Sequence, residues 1–153
     1  MTPEQKLKQL NIALPKAPSP IANFVMWRQT GNLLYLSGQG PRRSDGSITQ
    51  GRFGMGYTVE QGYADSRQIG LQILATVREA VGSLDKIESV IKILGMLNAE
   101  PNFKDHPKVI NGCSDVMVEI LGERGKHARS AVGMGSLPGG MPVEIEAIFQ
   151  VQI

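Results

Sequence analysis

The sequence predicts an α+β fold: a mixed, mostly antiparallel sheet with two main helices packed on one face, plus a short N-terminal helix. Three observations predict it. Two long segments, 59–81 and the one opening at 105, carry apolar residues at helical spacing. Apolar runs bounded by turn residues lie before the first of these and after the second, with no helix between them. The final run, Val143 to Ile153, sets Val143, Ile145, Ala147, Phe149 and Val151 on one face, with Glu144, Glu146, Ile148 and Gln150 on the other. Strands joined without a helix pair antiparallel, and helices inserted between strands make such a sheet mixed.

The elements follow in order. Thr2-Pro3-Glu4-Gln5 is a capping box with proline at the first helical position, so a short helix is expected over about Pro3 to Leu10. Pro15, Pro18 and Pro20 make Leu14 to Pro20 an extended connection. Residues 1–20 are thus read as an extension, and 21–153 as one domain. Asn23–Gln29 and Leu33–Ser37 flank Thr30-Gly31-Asn32 and predict a hairpin. Ile48 to Gly51, after the Asp45-Gly46 turn, is a candidate short third strand. Thr58-Val59-Glu60-Gln61 opens a helix over Val59–Val81, which Gly82 stops. Ile87 to Leu97 reads as a buried strand. Asp105-His106-Pro107 starts the next helix, with aspartate as cap, and Gly122 ends it. Ser130–Ser136 is a strand, Leu137-Pro138-Gly139-Gly140 a turn, and Val143–Ile153 the last strand. Two helices cover one face of such a sheet. A second copy of the chain is the expected cover for the other.

Composition excludes several functions. The net charge is +2 with scattered Lys and Arg, which gives nucleic acid no basic stripe to bind. One cysteine, Cys113, allows no internal disulfide, and two histidines with it make no zinc cluster. The N-terminus has no apolar leader core, and no run reaches the length of a membrane span. A cytoplasmic location is expected.

Few residues offer chemistry. Gly122-Glu123-Arg124-Gly125-Lys126-His127 lacks the spacing and hydroxyl of a phosphate loop. Gly51 to Gly56 lacks the preceding strand of a dinucleotide fingerprint. Cys113 and His127 could form a thiol–imidazole pair, but Cys113 falls on the apolar side of its helix and reads as core. Arg129 lies between a glycine-rich helix exit and a strand. Its fork fits a carboxylate, although by residue type alone an exposed arginine or an ion pair with a structural acid is the commoner role. Glu144 and Glu146 share a strand face, and a carboxylate held in a wet pocket can position water.

Leu36-Ser37-Gly38-Gln39-Gly40-Pro41, His127-Ala128-Arg129-Ser130-Ala131-Val132, Leu137-Pro138 and Val143-Glu144-Ile145-Glu146-Ala147-Ile148 together resemble the RidA/YjgF family, also called endoribonuclease L-PSP or reactive intermediate deaminase. The resemblance runs from about Ile21 to Ile153 and points to a longer branch of about 150 residues. It implies a chorismate-mutase-like fold, a homotrimer with clefts between subunits, and hydrolysis of an enamine or imine to a 2-oxo acid and ammonia without metal or organic cofactor. It implies that Arg129 grips the substrate carboxylate and that Glu144 positions water. Ser37, Gly38 and Asn111 would line the cleft. Phe24 and Ser114 stand where the deaminases usually carry tyrosines, so a larger or different carboxylate ligand is expected. Two other functions stay open: non-catalytic binding of a small carboxylate in the same cleft, and, from the family's older name, ribonuclease action.

Overall fold

The computed structural model describes residues 1–153. In chain order they form α1 (Pro3–Gln9), β1 (Trp27–Thr30), β2 (Leu33–Leu36), α2 (Val59–Val81), β3 (Ile87–Asn98), α3 (His106–Leu121), β4 (Ala128–Met134) and β5 (Val143–Val151). The sheet runs β1-β2-β5-β3-β4, and every neighbouring pair is antiparallel except β3 and β4. That parallel pair is the one whose connection carries a helix, α3, as a parallel crossover requires.

Local chemistry explains the boundaries. The Thr58 and Gln61 side chains cap α2 reciprocally, and Gly82 ends it at φ 92°, a left-handed conformation that glycine takes without strain. Thr2 and Gln5 do the same for α1. α1 docks on the body: its Glu4 carboxylate accepts 3.0 and 2.6 Å bonds from Arg78 and a 2.9 Å bond from the Leu84 amide, and Leu7 is buried. α2 and α3 pack closely at Gly112, where any Cβ would strike the Tyr63 carbonyl.

Both long helices lie on one face of the sheet. Val143, Ile145, Ala147, Phe149 and Val151 are all buried there, in a core that includes Ile69, Ile73, Ile110 and Met117 from the helices. Each large apolar side chain so buried contributes about 1.5–3 kcal/mol, which holds the helices to the sheet. Neither long helix packs on the opposite face. It carries Glu144 and Glu146 and a small apolar cluster of Met96, Leu137 and Met141.

Four expectations need correction. Ile48–Gly51 is no strand: only an isolated bridge joins Arg42 to Ile48, and the Gly51 amide bonds to Gly140 instead of extending a ladder. β1 begins at Trp27, since Ile21, Phe24 and Val25 are exposed and unpaired by the hairpin. β4 starts at Ala128, earlier than Ser130, because parallel pairing with β3 begins at Lys92↔Ala128, and it ends at Met134. Asp105 precedes α3 but makes no capping bond; its carboxylate pairs with Lys108 at 3.3 Å.

Candidate functional site

Arg129 is the second residue of β4, in register with Ile93 of β3. Ile93 belongs to the helix-side core, so Arg129 leaves the sheet on the helix side at its β4 edge. There α3 meets it. Arg129 Nη1 donates to Asn111 Oδ1 at 2.8 Å and to Ser114 Oγ at 3.1 Å. Ser114 Oγ also lies 2.9 Å from His127 Nε2, and His127 Nδ1 lies 2.7 Å from the Gly125 carbonyl. The carbonyl can only accept, so Nδ1 carries the proton. Nε2 therefore accepts from the Ser114 hydroxyl, which accepts in turn from Arg129. Burial lowers the His127 pKa and the nearby Arg129 charge adds to this, while the Gly125 bond opposes it. The network around Arg129 is neutral.

No carboxylate lies within ion-pairing distance of Arg129, whereas Arg52, Arg67 and Arg78 each have one. The ion-pair role that residue type alone allowed is absent. The Nε and Nη2 edge of the guanidinium makes no hydrogen bond within the chain. It is a positioned fork of the kind that receives a carboxylate in two parallel bonds.

Glu144, the second residue of β5, pairs with Met96 and projects from the other sheet face. It is half-buried, and both burial and the neighbouring Glu146 charge raise its pKa. Gly38 lies against it: a Cβ there would sit 3.0 Å from Glu144 Cδ and overlap the carboxylate. Ser37 donates its hydroxyl to the Val25 carbonyl at 2.6 Å, and its amide donates to Met26 O at 3.0 Å, which fixes the chain entering this corner. A cleft of about 670 Å³ opens here, lined by Phe24, Met26, Ser37, Gly38, Met141 and Glu144 among others. Phe24 is 41% exposed. Glu146 is exposed and does not line the cleft, so Glu144 is the acid that faces it.

The expected site residues thus fall into two groups. Arg129, Asn111 and Ser114 are held together on the helix side. Phe24, Ser37, Gly38 and Glu144 are held together on the opposite side. One copy of the chain does not bring the groups together, because β4 and β5 present them on opposite faces of the same sheet.

Cys113 is fully buried in the core, where burial pushes its thiol up to about 12, and His127 bonds to Ser114 instead. His127, weighed in the sequence as a partner for Cys113, carries the Ser114 contact. One residue escaped the sequence reading. Arg42 lines the Glu144 cleft, marked only by its place just after the Gly38–Pro41 turn. No helix is long and apolar enough to cross a membrane, and no cluster of metal-binding side chains is present.

The profile described as "YjgF/chorismate mutase-like, putative endoribonuclease" matches residues 4–143. Protein TCP17 of Trypanosoma cruzi is 37% identical over 146 residues, covering 95% of this chain and 91% of that protein. A 2-iminobutanoate/2-iminopropanoate deaminase of Dermatophagoides farinae is 32% identical over 142 residues, covering 92% of this chain and 95% of the relative. Among solved structures, Atu1372 of Agrobacterium tumefaciens, a protein of unknown function, superposes with a TM-score of 0.88 at 40% identity, over 99% of this chain and 94% of its own.

Proposed function

Because the chain belongs to the YjgF/chorismate mutase-like family, we propose that it hydrolyses imines or enamines of small 2-oxo acids, in clefts between the subunits of a cytoplasmic homotrimer. Arg129 carries this reading. Its guanidinium is held by two neutral oxygens and has no acid partner, so its charge is left for a ligand carboxylate. The deaminase among the relatives gives the reaction class its name.

The chemistry asks for little. A protonated imine carbon is already electrophilic. Arg129 of one copy holds the carboxylate, and Glu144 of a neighbouring copy orients a water and takes a proton as oxygen bonds to carbon. Glu144 hands that proton to the nitrogen, the carbon–nitrogen bond breaks, the departing ammonia takes the proton of the new hydroxyl and leaves as ammonium, and the 2-oxo acid remains. Holding the carboxylate and the water in register supplies the rate through orientation. The raised pKa of Glu144 makes its carboxylate a better proton acceptor than an ordinary one.

The test uses two variants, Arg129→Ala and Glu144→Gln, with 2-aminoacrylate generated in situ by a dehydratase. Each variant alone should lose the acceleration of ammonia release. Refolded together in equal amounts, they should recover about a quarter of wild-type activity, since half the clefts receive each intact group. No recovery from two folded variants would refute the shared cleft, and no acceleration by wild type would refute the reaction.

A second reading has one specific observation in its favour. Ser114 is engaged by Arg129 and His127, and Phe24 offers no hydroxyl, so the cleft wall has fewer polar groups to give a reacting ligand. A binding or sensing protein for small carboxylates would then show saturable binding, lost in Arg129→Ala, with no turnover. Ribonuclease action finds no comparable support in the geometry.

A further inference from the structure

A second cavity, of about 620 Å³, adjoins the Glu144 cleft. It lies between the proline-rich segment 15–21, the loop after β2, and α2. The two cavities share the wall formed by Pro18, Ser19, Ile21 and Arg42. Arg42 therefore stands where they join.

The charge in this region is one-sided. Lys16, Arg42 and Arg43 line the second cavity, and no acid does. Arg43 is within the field of Asp45 and Asp65. Arg42 and Lys16 make no ion pair, and the Arg42 guanidinium makes no hydrogen bond. Arg42 is also partly buried, so its charge has lost hydration without gaining a partner.

The backbone that carries Arg42 is fixed from below. Gln72 of α2 is 2% exposed and uses both ends of its amide on this segment. Its Nε2 donates to the Gly40 carbonyl at 2.9 Å, and its Oε1 accepts from the Arg42 amide at 3.1 Å. Gln39, one residue earlier, donates to Thr76 of the same helix at 2.9 Å. A buried amide bridging both sides of residue 41 makes the start of the Arg42 side chain a rigid feature of the cleft.

We propose that Arg42 is a specificity-determining residue that binds a second anionic group, so that the ligand is a 2-oxo or 2-imino acid with a carboxylate at its far end. This rests on the reading of the Glu144 cleft as the ligand site. Arg129 takes the carboxylate beside the reacting carbon. Arg42 takes the distal one, with Lys16 adding field across the second cavity. The combined space is more than a three- or four-carbon acid would occupy.

The experiment is calorimetric titration of the intact protein with 2-oxobutanoate and with 2-oxoglutarate. Wild type should bind the diacid at least about tenfold more tightly, the scale of one charge-assisted contact. Arg42→Gln should abolish that preference, bringing the affinities for the two acids to within about twofold of each other. Arg42→Lys should keep part of it. Added salt should erode the preference in wild type, a readout that needs no variant to fold. Equal affinity for the two acids in wild type overturns the inference and leaves the ligand site standing. A preference that survives in folded Arg42→Gln overturns it equally. Binding of neither acid overturns the ligand site itself and this inference with it. Absence of turnover with binding intact would refute only the hydrolytic reaction.

Discussion

Replacing Gly38 with alanine tests the role of Glu144 without touching that residue. Gly38 does not have the left-handed φ that would strain alanine, so the backbone accepts the change. The three atoms nearest the added methyl all belong to the Glu144 side chain. The methyl carbon would lie 3.0 Å from Cδ and 3.2 Å from Cγ, and would overlap the nearer carboxylate oxygen. Carbon atoms pack at about 3.5–4.0 Å, so the carboxylate must swing away by about 1 Å. The swing costs stability little: a side chain pushed off its rotamer costs about 0.5–1.5 kcal/mol. Its cost in rate is larger, because a 1 Å displacement of a reacting group can lose about 100-fold. The assay is ammonia release from 2-aminoacrylate, with calorimetric titration of a 2-oxo acid beside it. The variant should unfold within about 2 kcal/mol of wild type, still bind the carboxylate through Arg129, and turn over about 100-fold more slowly. Wild-type kcat/KM in a variant whose Glu144 has demonstrably moved would refute the assignment of Glu144 to the water.

Two further predictions concern protons. Glu144 has a raised pKa, so its contribution to stability is present below the ordinary value of 4.5 and is lost as pH rises through the raised folded value. Glu144→Gln should therefore unfold at a higher temperature than wild type at pH 7, by the equivalent of about 0.5–1 kcal/mol given its partial exposure, and the gain should vanish below pH 4.5. His127 has a lowered pKa, so its contribution is complete above about 6.5 and is lost as pH falls through the folded value. Urea midpoints should fall from pH 6.5 downward in wild type, and His127→Ala should flatten that slope while costing about 1–2 kcal/mol at pH 7 for the orphaned Ser114 and Gly125 groups. An unchanged slope in the variant would show that another group titrates.

The helices were legible because their signals are local. Capping boxes at Thr2 and Thr58 and a left-handed stop at Gly82 depend on four or five residues, and all three stand where the spacing puts them. The last strand was legible because its alternation survives burial on one side only. The segment after Asp45 was not, because its backbone bonds go to Gly140, nearly ninety residues away, and nothing local announces that. The site shows the same division. Arg129, Asn111 and Ser114 were named together from a resemblance, and they do meet, across a strand and a helix. What sequence spacing could not give was the face on which Arg129 lies. A single position of register decides whether a strand residue joins the helix side or the open side. His127 was weighed as a partner for Cys113, and one helical position changes that partner to Ser114.

That division of faces also gives an electrostatic argument for the proposed arrangement. Arg129 stands among neutral acceptors with no acid partner, whereas five other cations in the chain pair with carboxylates. Glu144 keeps its place beside Glu146 and against Gly38, where burial and like charge both disfavour its ionised form. Each is a local cost in the single chain, of opposite sign, on opposite faces of one sheet. They cannot relieve each other within one copy. In the proposed trimer the helix-side edge of one copy faces the open side of the next, and the two charges bracket one ligand. The cationic fork then finds its carboxylate, and the reluctant carboxylate finds a proton to accept. Groups that are unfavourable alone and complementary across an interface are how a binding site stores its selectivity before the ligand arrives.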